Sequence, residues 1–470
     1  MSAGALSAVG LDMRPCRASI AQTVAQVGIV TLVCASILAP AITLTESLPW
    51  VKAEQALLPV VFLGYGWMLL SGSAQLIRFN RMFIVGAIFS LSIILSIWYG
   101  GEILHHEVLL RDYYEIPKAW LPVVFFTIAL EANLSESGLR RLLDWFAGAV
   151  LIICIYAWAQ FANVGFTYWL NTFYSGGTHI DIGLLNHGRV YSTMGNANVL
   201  GQLMTWSIVA FTLALLFAIG SRLRNIVLLF VCLVTLGMTG SRYGLITTAI
   251  GVALIFVLPS GTGRRRVAQL SLFLLFLPGF VWAFNTAVQR NEGNAQRLAS
   301  LRHPLEVDSL RARLDYLWRD AADDFLSSPV FGYGPAKIFY TGVFTDSEYL
   351  DVLKEFGLIG FLPYIAYYLV PMFLLWRGLR AAKRAGSASD EQYAATRLTL
   401  RLAFLMAVTA LLMNIGESTF YNQLLQAFLW MWFGLGVNAA GKFEQIPPVE
   451  YVRYQVKPFG SEPSLQETSA

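Results

Sequence analysis

An arginine close to glycine and two asparagines marks the first stretch of this chain that could do chemistry. Arg189 lies before a hydrophobic segment and is followed by Gly195, Asn196 and Asn198. A guanidinium group presents a fork of donors to phosphate oxygens, so this stretch is suited to holding a phosphate where the chain enters a membrane. The alternatives are an interfacial arginine that snorkels to water, and asparagines that cap the next helix or line a polar cavity.

A second arginine, Arg242, lies in the sequence Ser241-Arg242-Tyr243-Gly244, between two hydrophobic segments that are joined by almost no loop. The side chain of Arg242 must therefore lie near an interface or point into the helix bundle. The alternative is a structural role, in which Ser241 caps the following helix.

The polar stretch 290–345 contains seven arginine and lysine residues in an otherwise hydrophobic chain. Apolar residues, Trp318 among them, recur at helical spacing over 308–326, which predicts an amphipathic helix that lies at the interface and carries Arg311 and Arg313. The Ser-Ser-Pro sequence at 327–329 ends this helix, and Gly-Tyr-Gly-Pro at 332–335 predicts a turn. A loop of this length indicates a working surface more than a connector.

Acidic side chains open the next helix. Asp346, Ser347 and Glu348 lie at its start, where unpaired amides and the helix dipole favour carboxylates, so capping accounts for them. Asp351 and Glu355 follow one turn later, before the chain enters the bilayer. This is more ionisable groups than capping requires.

The elements that position these residues are membrane helices. The chain has 470 residues, of which 56% are hydrophobic and 13% charged, against about 25% charged in soluble domains. A span needs about 20 apolar residues, which predicts an all-α polytopic fold of about twelve transmembrane helices within 1–440. The candidate spans are 21–44, 57–76, 82–99, 117–132, 142–163, 196–219, 223–240, 243–259, 267–286, 347–376, 400–415 and 422–439.

Lysine and arginine collect in alternate loops, including the Arg264 to Arg266 run, which predicts that both termini are cytoplasmic. The loops at 164–195 and 290–345 then face outward. The net charge of +4 records this orientation and gives no argument for nucleic-acid binding. The four cysteines lie near the N-terminus or in apolar runs and indicate neither disulfides nor a metal site. The proline-rich segment 441–470 is predicted to be a disordered cytoplasmic tail.

Three separated motifs together resemble the O-antigen ligase and O-antigen polymerase superfamily. Arg189 with Gly-Asn-Ala-Asn at 195–198 is similar to the family's Arg followed by Gly-x-x-Asn-Pro-Asn. A second motif runs from Arg313 through Ser-Pro-Val-Phe-Gly-Tyr-Gly at 328–334. The third, Asp-Ser-Glu-Tyr-Leu at 346–350 with Glu-Phe-Gly-Leu-Ile-Gly at 355–360, is similar to the family's His-Asn-x-Tyr-Leu followed by Glu-x-Gly-x-x-Gly.

The resemblance implies a multi-pass enzyme of the bacterial inner membrane with GT-C type architecture, which uses undecaprenyl-diphosphate-linked oligosaccharide at the periplasmic face. Arginines would bind the diphosphate: Arg189 and Arg313 first, then Arg242 and Arg311. Asp346 or Glu348 would deprotonate or align the acceptor hydroxyl in an inverting transfer that needs no metal or cofactor. The residues expected to contact the substrate are Asn196, Asn198, Tyr349, Trp318 and Tyr333, although interfacial packing is an alternative for the aromatic side chains.

Two departures from the family motifs bear on the reaction. Ala197 replaces the proline between the two asparagines, a change that we expect to be tolerated. Asp346 stands where ligases of the family carry the histidine proposed to activate the acceptor, and an aspartate, with an unperturbed pKa of about 3.9, is a weaker base. This difference favours the polymerase branch of the superfamily.

The predicted function is therefore a polysaccharide polymerase for O-antigen, capsule or exopolysaccharide, with a chain-length regulator or flippase as candidate partners. The alternatives are a ligase that attaches glycan to lipid A core or protein, a lipid-linked glycan transporter, and a noncatalytic assembly component. A transporter predicts ionisable residues along the middle of several spans. Here most charges lie at span ends, with Glu131 and Glu417 nearest to exceptions.

Overall fold

The computed structural model describes residues 27–39, 41–42, 51–52, 81–174, 189–257, 313–335, 345–385, 393–417 and 423–446. Several predicted features lie outside these residues: the spans 57–76 and 267–286, Arg311, and most of the loop 290–345. The predicted tail 441–470 begins inside the last helix, which runs to Glu444, and lies outside the described residues beyond residue 446.

The described part of the chain is nearly all helical. A single antiparallel pair of two-residue strands, β1 (Ala41–Ile42) and β2 (Val51–Lys52), accompanies the helices in these ranges. The helices are α1 (Val27–Leu38), α2 (Arg81–Glu102), α3 (Glu115–Glu131), α4 (Glu136–Phe161), α5 (Phe166–Tyr174), α6 (Ala197–Leu216), α7 (Arg222–Thr239), α8 (Arg242–Val257), α9 (Trp318–Ser327), α10 (Glu348–Arg384), α11 (Ala394–Met413) and α12 (Gln423–Glu444), with short turns of helix at Leu110–Tyr113, Ser192–Met194 and Arg313–Leu317.

Six of these helices, α2, α4, α6, α7, α10 and α11, are long and apolar enough to cross a membrane. Each coincides with a span predicted from hydropathy, and the shorter apolar helices α1 and α8 coincide with two more. The prediction of a helical membrane protein is confirmed. The total of twelve spans and the GT-C architecture stay predictions.

Helix α6 lies at the centre of the described bundle. Its most apolar window is 89% buried, as expected of a helix that is hydrophobic on all sides. It packs against α7, α8 and α11, and a Cβ added at Gly201 would lie 2.7 Å from the Ser241 Cβ, so only glycine permits this approach. The start of α6, with Asn196 and Asn198, is therefore held in place by three neighbouring helices.

The first turn of α11 is capped by a carboxylate from another helix. Glu136, at the start of α4, accepts hydrogen bonds from the Ala395 and Thr396 nitrogens at 2.7 and 3.0 Å, and from the Thr396 hydroxyl at 2.9 Å. The first amides of a helix have no partner within the helix, so this contact satisfies donors that would otherwise be left unpaired. The contact fixes α11 at one end, while its other end leads to Glu417.

Helix α10 is interrupted at Gly357, whose φ of 59° and ψ of −163° are not helical. The turn that follows α9 fits into this break: the Tyr333 nitrogen donates to the Lys354 oxygen at 2.9 Å, and the Leu358 nitrogen donates to the Pro329 oxygen at 2.9 Å. Two of the family-like motifs, at 328–334 and 355–360, are thus two halves of one interlock. The interlock fixes α9, and with it the turn that carries Arg313, against α10.

Candidate active site

Five polar side chains from distant parts of the sequence converge at one end of the described bundle. They come from the turn before α6, the first turn of α6, the helical turn before α9, the segment before α10 and the turn after α11. These residues are Arg189, Asn198, Arg313, Asp346 and Glu417.

Arg189 joins the end of α7 to the start of α6. Its Nε donates to the Thr239 carbonyl oxygen at 2.7 Å, and its Nη2 donates to the Asn198 Oδ1. Asn196 is exposed, and its Oδ1 accepts from the Asn198 nitrogen at 2.7 Å, which is an N-cap contact. The two asparagines therefore have separate roles: Asn196 caps α6, and Asn198 contacts Arg189.

Glu417 lies in the turn after α11 and is half-buried. Its Oε1 accepts a hydrogen bond from the Asn198 Nδ2. Burial and the charge of Asp346 raise the pKa of Glu417 to about 8, although Arg313 and Arg189 act to lower it. Arg189 contacts Asn198, which also contacts Glu417, and Arg313 lies beside Tyr243, which lines one cleft with Glu417. The two arginines are therefore near the same carboxylate.

Arg313 forms an ion pair with Asp346. Its Nη2 and Nε lie 2.9 and 3.2 Å from the Asp346 Oδ2, and its guanidinium lies 5.6 Å from the centre of the Tyr243 ring. Burial alone would lower the pKa of Arg313, but the hydrogen bond and the charge of Asp346 more than offset this and raise it. Arg313 is therefore a permanent positive charge beside the Asn198 and Glu417 cluster.

Asp346 has an unusual backbone conformation, with a φ of 56° in the left-handed region. The neighbouring Thr345 is held from two sides: the Trp318 Nε1 donates to its carbonyl oxygen at 2.9 Å, and its hydroxyl donates to the Asp351 Oδ1 at 2.7 Å. A strained residue persists only where its surroundings fix it, and such residues cluster at functional sites. Trp318 and Asp351 thus support the position from which Asp346 meets Arg313.

Other residues predicted for the site are in packing positions. Glu348 is fully buried, and its backbone nitrogen donates to the Asn414 oxygen of the turn after α11 at 3.0 Å. The Tyr349 hydroxyl donates to the Leu411 oxygen at 2.6 Å. The Tyr333 ring stacks on His106, with centroids 5.3 Å apart, which places Tyr333 against the segment after α2. The contacts of Tyr349 and Tyr333 are of the packing kind given above as the alternative for the aromatic side chains.

Arg242 is half-buried at the first residue of α8. The Gly244 nitrogen donates to the Ser241 Oγ at 3.1 Å, so Ser241 caps α8 as the structural interpretation predicts.

Glu417 was not among the predicted site residues. The available signal was a carboxylate at the end of a hydrophobic span, which is a functional-site hypothesis by default. Its partners Asn198, Arg189 and Arg313 are far away in the sequence, so no spacing pattern connects them.

A family model described as O-antigen ligase matches residues 208–365, from α6 through the first part of α10. This match confirms the resemblance to the O-antigen ligase and polymerase superfamily. Arg313 and Asp346 lie inside the matched stretch, whereas Arg189 and Glu417 lie outside it. The search of curated proteins found no match to this chain.

Proposed function

We propose that this protein is a polysaccharide polymerase that transfers undecaprenyl-diphosphate-linked glycan onto a second lipid-linked glycan. The observation that supports this most strongly is the placement of two arginines around Glu417. Arg189 shares the Asn198 side chain with Glu417, and Arg313 lies 5.6 Å from the centre of the Tyr243 ring, which lines the same cleft as Glu417. Two guanidinium groups that converge on one site are suited to a diphosphate, which presents several anionic oxygens. The match to the O-antigen ligase family supports a glycan on a lipid carrier.

The reaction is an inverting displacement at the anomeric carbon of the donor. The acceptor hydroxyl attacks this carbon, the bond from carbon to phosphate oxygen breaks, and the lipid diphosphate leaves with the electron pair. The charge that develops on the leaving oxygen is stabilised by Arg189 and Arg313, which are already in place before the reaction begins. These arginines supply the positive charge that a metal ion supplies in other phosphate sites, so the proposed transfer is metal-independent.

The proposed location is the periplasmic face of the bacterial inner membrane, with both termini cytoplasmic, about twelve spans and a GT-C type arrangement of the helices. The positive loops at the opposite end of the spans support this orientation. A nucleotide sugar is not expected on this side of the membrane, so the donor must arrive already activated by its lipid diphosphate. A chain-length regulator or a flippase would then act beside this protein.

A ligase is the second candidate, because the matching family model carries that description. The two activities share a donor and differ in the acceptor. Ligases of the family are expected to carry histidine at the position of Asp346. The aspartate here therefore favours the polymerase.

Purified protein incubated with a synthetic diphosphate-lipid oligosaccharide separates the two functions. We expect a ladder of products that differ by one repeat unit. Transfer that occurs only onto added lipid A core or protein, without a ladder, would indicate a ligase. Donor movement across a vesicle membrane without any covalent product would indicate a transporter.

The variant Asp346→Asn tests the ion pair at the site. Asparagine tolerates the left-handed backbone conformation, so the fold should be retained. Loss of the carboxylate releases Arg313 from its position, and such displacements can reduce turnover by about 100-fold. We expect a reduction of about 10–100-fold in kcat, with donor KM within about threefold of the parent, measured by initial rates of polymer formation. An unchanged kcat would limit the contact between Asp346 and Arg313 to a structural role.

A further inference from the structure

The two carboxylates predicted from the sequence are poorly placed to accept the proton of the acceptor hydroxyl. The Asp346 Oδ2 accepts hydrogen bonds from the Arg313 Nη2 and Nε at 2.9 and 3.2 Å. This oxygen is therefore already engaged by the guanidinium of Arg313. Glu348 is fully buried at the junction of α10 with the turn after α11, where an acceptor sugar does not reach it.

Glu417 has different surroundings. Its hydrogen-bond partner is the neutral amide of Asn198. It also lines a narrow cleft between α6, α8 and the end of α11, which includes Ser241 and Tyr243. Its side chain is half-buried, and both arginines lie within electrostatic range of it.

We propose that Glu417 is the catalytic base of the transfer and accepts the proton of the acceptor hydroxyl. This inference rests on the proposed function and assigns one step of it. As the acceptor oxygen bonds to the anomeric carbon, its proton passes to the Glu417 carboxylate. The bond to the lipid diphosphate breaks at the same carbon, and the leaving diphosphate takes the electron pair. The proton is then released from Glu417 to water, which restores the carboxylate.

Asn198 is a positioning residue in this scheme. Its amide nitrogen donates to Glu417, while its amide oxygen accepts from Arg189. One side chain thus links a diphosphate-binding arginine to the base. The link fixes the distance between the leaving group and the proton acceptor, which lie on opposite sides of the reacting carbon in an inverting displacement.

The electrostatics of the site agree with this role. Burial and the charge of Asp346 raise the pKa of Glu417 to about 8, while Arg313 and Arg189 act in the opposite direction. Among the residues that the structure describes, Tyr243 also lines the cleft, and its ring lies beside Arg313. A base is most effective when its pKa lies near the working pH. Because the base must be ionised, activity should increase with pH up to about 8 and then level off.

The test is the pH dependence of polymer formation by the full-length protein between about pH 6 and 9. The parent should show a rise of about tenfold per pH unit below the plateau. Glu417→Gln should be about 10²–10⁴-fold slower and nearly independent of pH, with affinity for the diphosphate-lipid oligosaccharide within about threefold of the parent. The matched control is Glu131→Gln, which removes an exposed glutamate at the end of α3 and should leave both rate and profile unchanged.

Two further variants distinguish a base from a structural carboxylate. Glu417→Asp retains a carboxylate. Its rate of polymer formation should be lower than that of the parent but should still increase with pH. Asp346→Asn removes a charge that raises the pKa of Glu417. The rate of polymer formation by this variant should therefore increase at a lower pH than the rate of the parent does. If the parent protein makes a ladder while Glu417→Gln shows the same rate as the parent or the same increase of rate with pH, Glu417 is not the base. In that case the proposed polymerase function is unaffected. If the parent makes no ladder, the proposed function fails and this inference fails with it.

Discussion

Arg313→Ala and Arg189→Ala are each expected to slow polymer formation by about 10²–10³-fold, while the protein remains folded and inserted in the membrane. Each substitution removes a fixed positive charge from the place where the diphosphate departs. Removing one preorganised donor from a site of developing charge has an effect of this size in other enzymes. The measurement is the initial rate of ladder formation with purified protein.

Matched variants distinguish the loss of a site contact from a general loss of charge. Arg319 is exposed on the same helical segment as Arg313, so Arg319→Ala should retain the parent rate within about threefold. Arg313→Lys keeps the charge but loses the planar fork, and should be intermediate. Normal polymer formation by Arg313→Ala would remove this arginine from the site.

The two arginines should also differ in one respect. Arg189 lowers the pKa of Glu417 and holds Asn198. The residual rate of polymer formation by Arg189→Ala should therefore begin to increase with pH at a higher pH than the rate of the parent does. A loss of rate without this shift would show that Arg189 and Glu417 act independently.

Hydropathy predicted the position of the described spans because burial in lipid requires long apolar segments. It predicted the helix ends less well. The segment 142–163 corresponds to α4, which begins at Glu136, because Ser135 accepts from the Gly138 nitrogen at 3.1 Å and starts the helix outside the apolar zone. Likewise, α10 continues to Arg384 because a helix does not have to end where the hydrocarbon does.

The site was predictable only for residues that stand out against a hydrophobic chain. Arg189 and Asp346 are charged residues next to spans, and Arg313 lies in the long polar stretch between two spans. The structure brings the three residues into one region. The sequence does not give the direction in which a side chain leaves a helix end. For that reason Glu348, two residues after Asp346, was expected in the site, although it is fully buried against the turn after α11.

The glycines of the interlock carry the second large prediction. A Cβ added at Gly357 would lie 2.6 Å from the Gly332 nitrogen and closer still to the Val330 carbonyl oxygen. Its φ and ψ also fall in a region that is essentially restricted to glycine, where another residue costs about 1–3 kcal/mol. Gly357→Ala should therefore separate the turn after α9 from α10.

This separation should affect both stability and activity. The turn at Pro329 to Tyr333 is held by backbone hydrogen bonds to α10, and the same segment positions α9 and the preceding Arg313. In Gly357→Ala we expect a lower midpoint of thermal unfolding in detergent and a loss of polymer formation of about 100-fold, because Arg313 no longer meets Asp346. Gly148→Ala is the control, since it lies within α4 with open space around its Cα, and alanine there should keep or slightly raise the midpoint. Equal midpoints and equal rates for Gly357→Ala and the parent would show that the close approach of the two segments is not required, and that the glycines in these motifs serve another purpose.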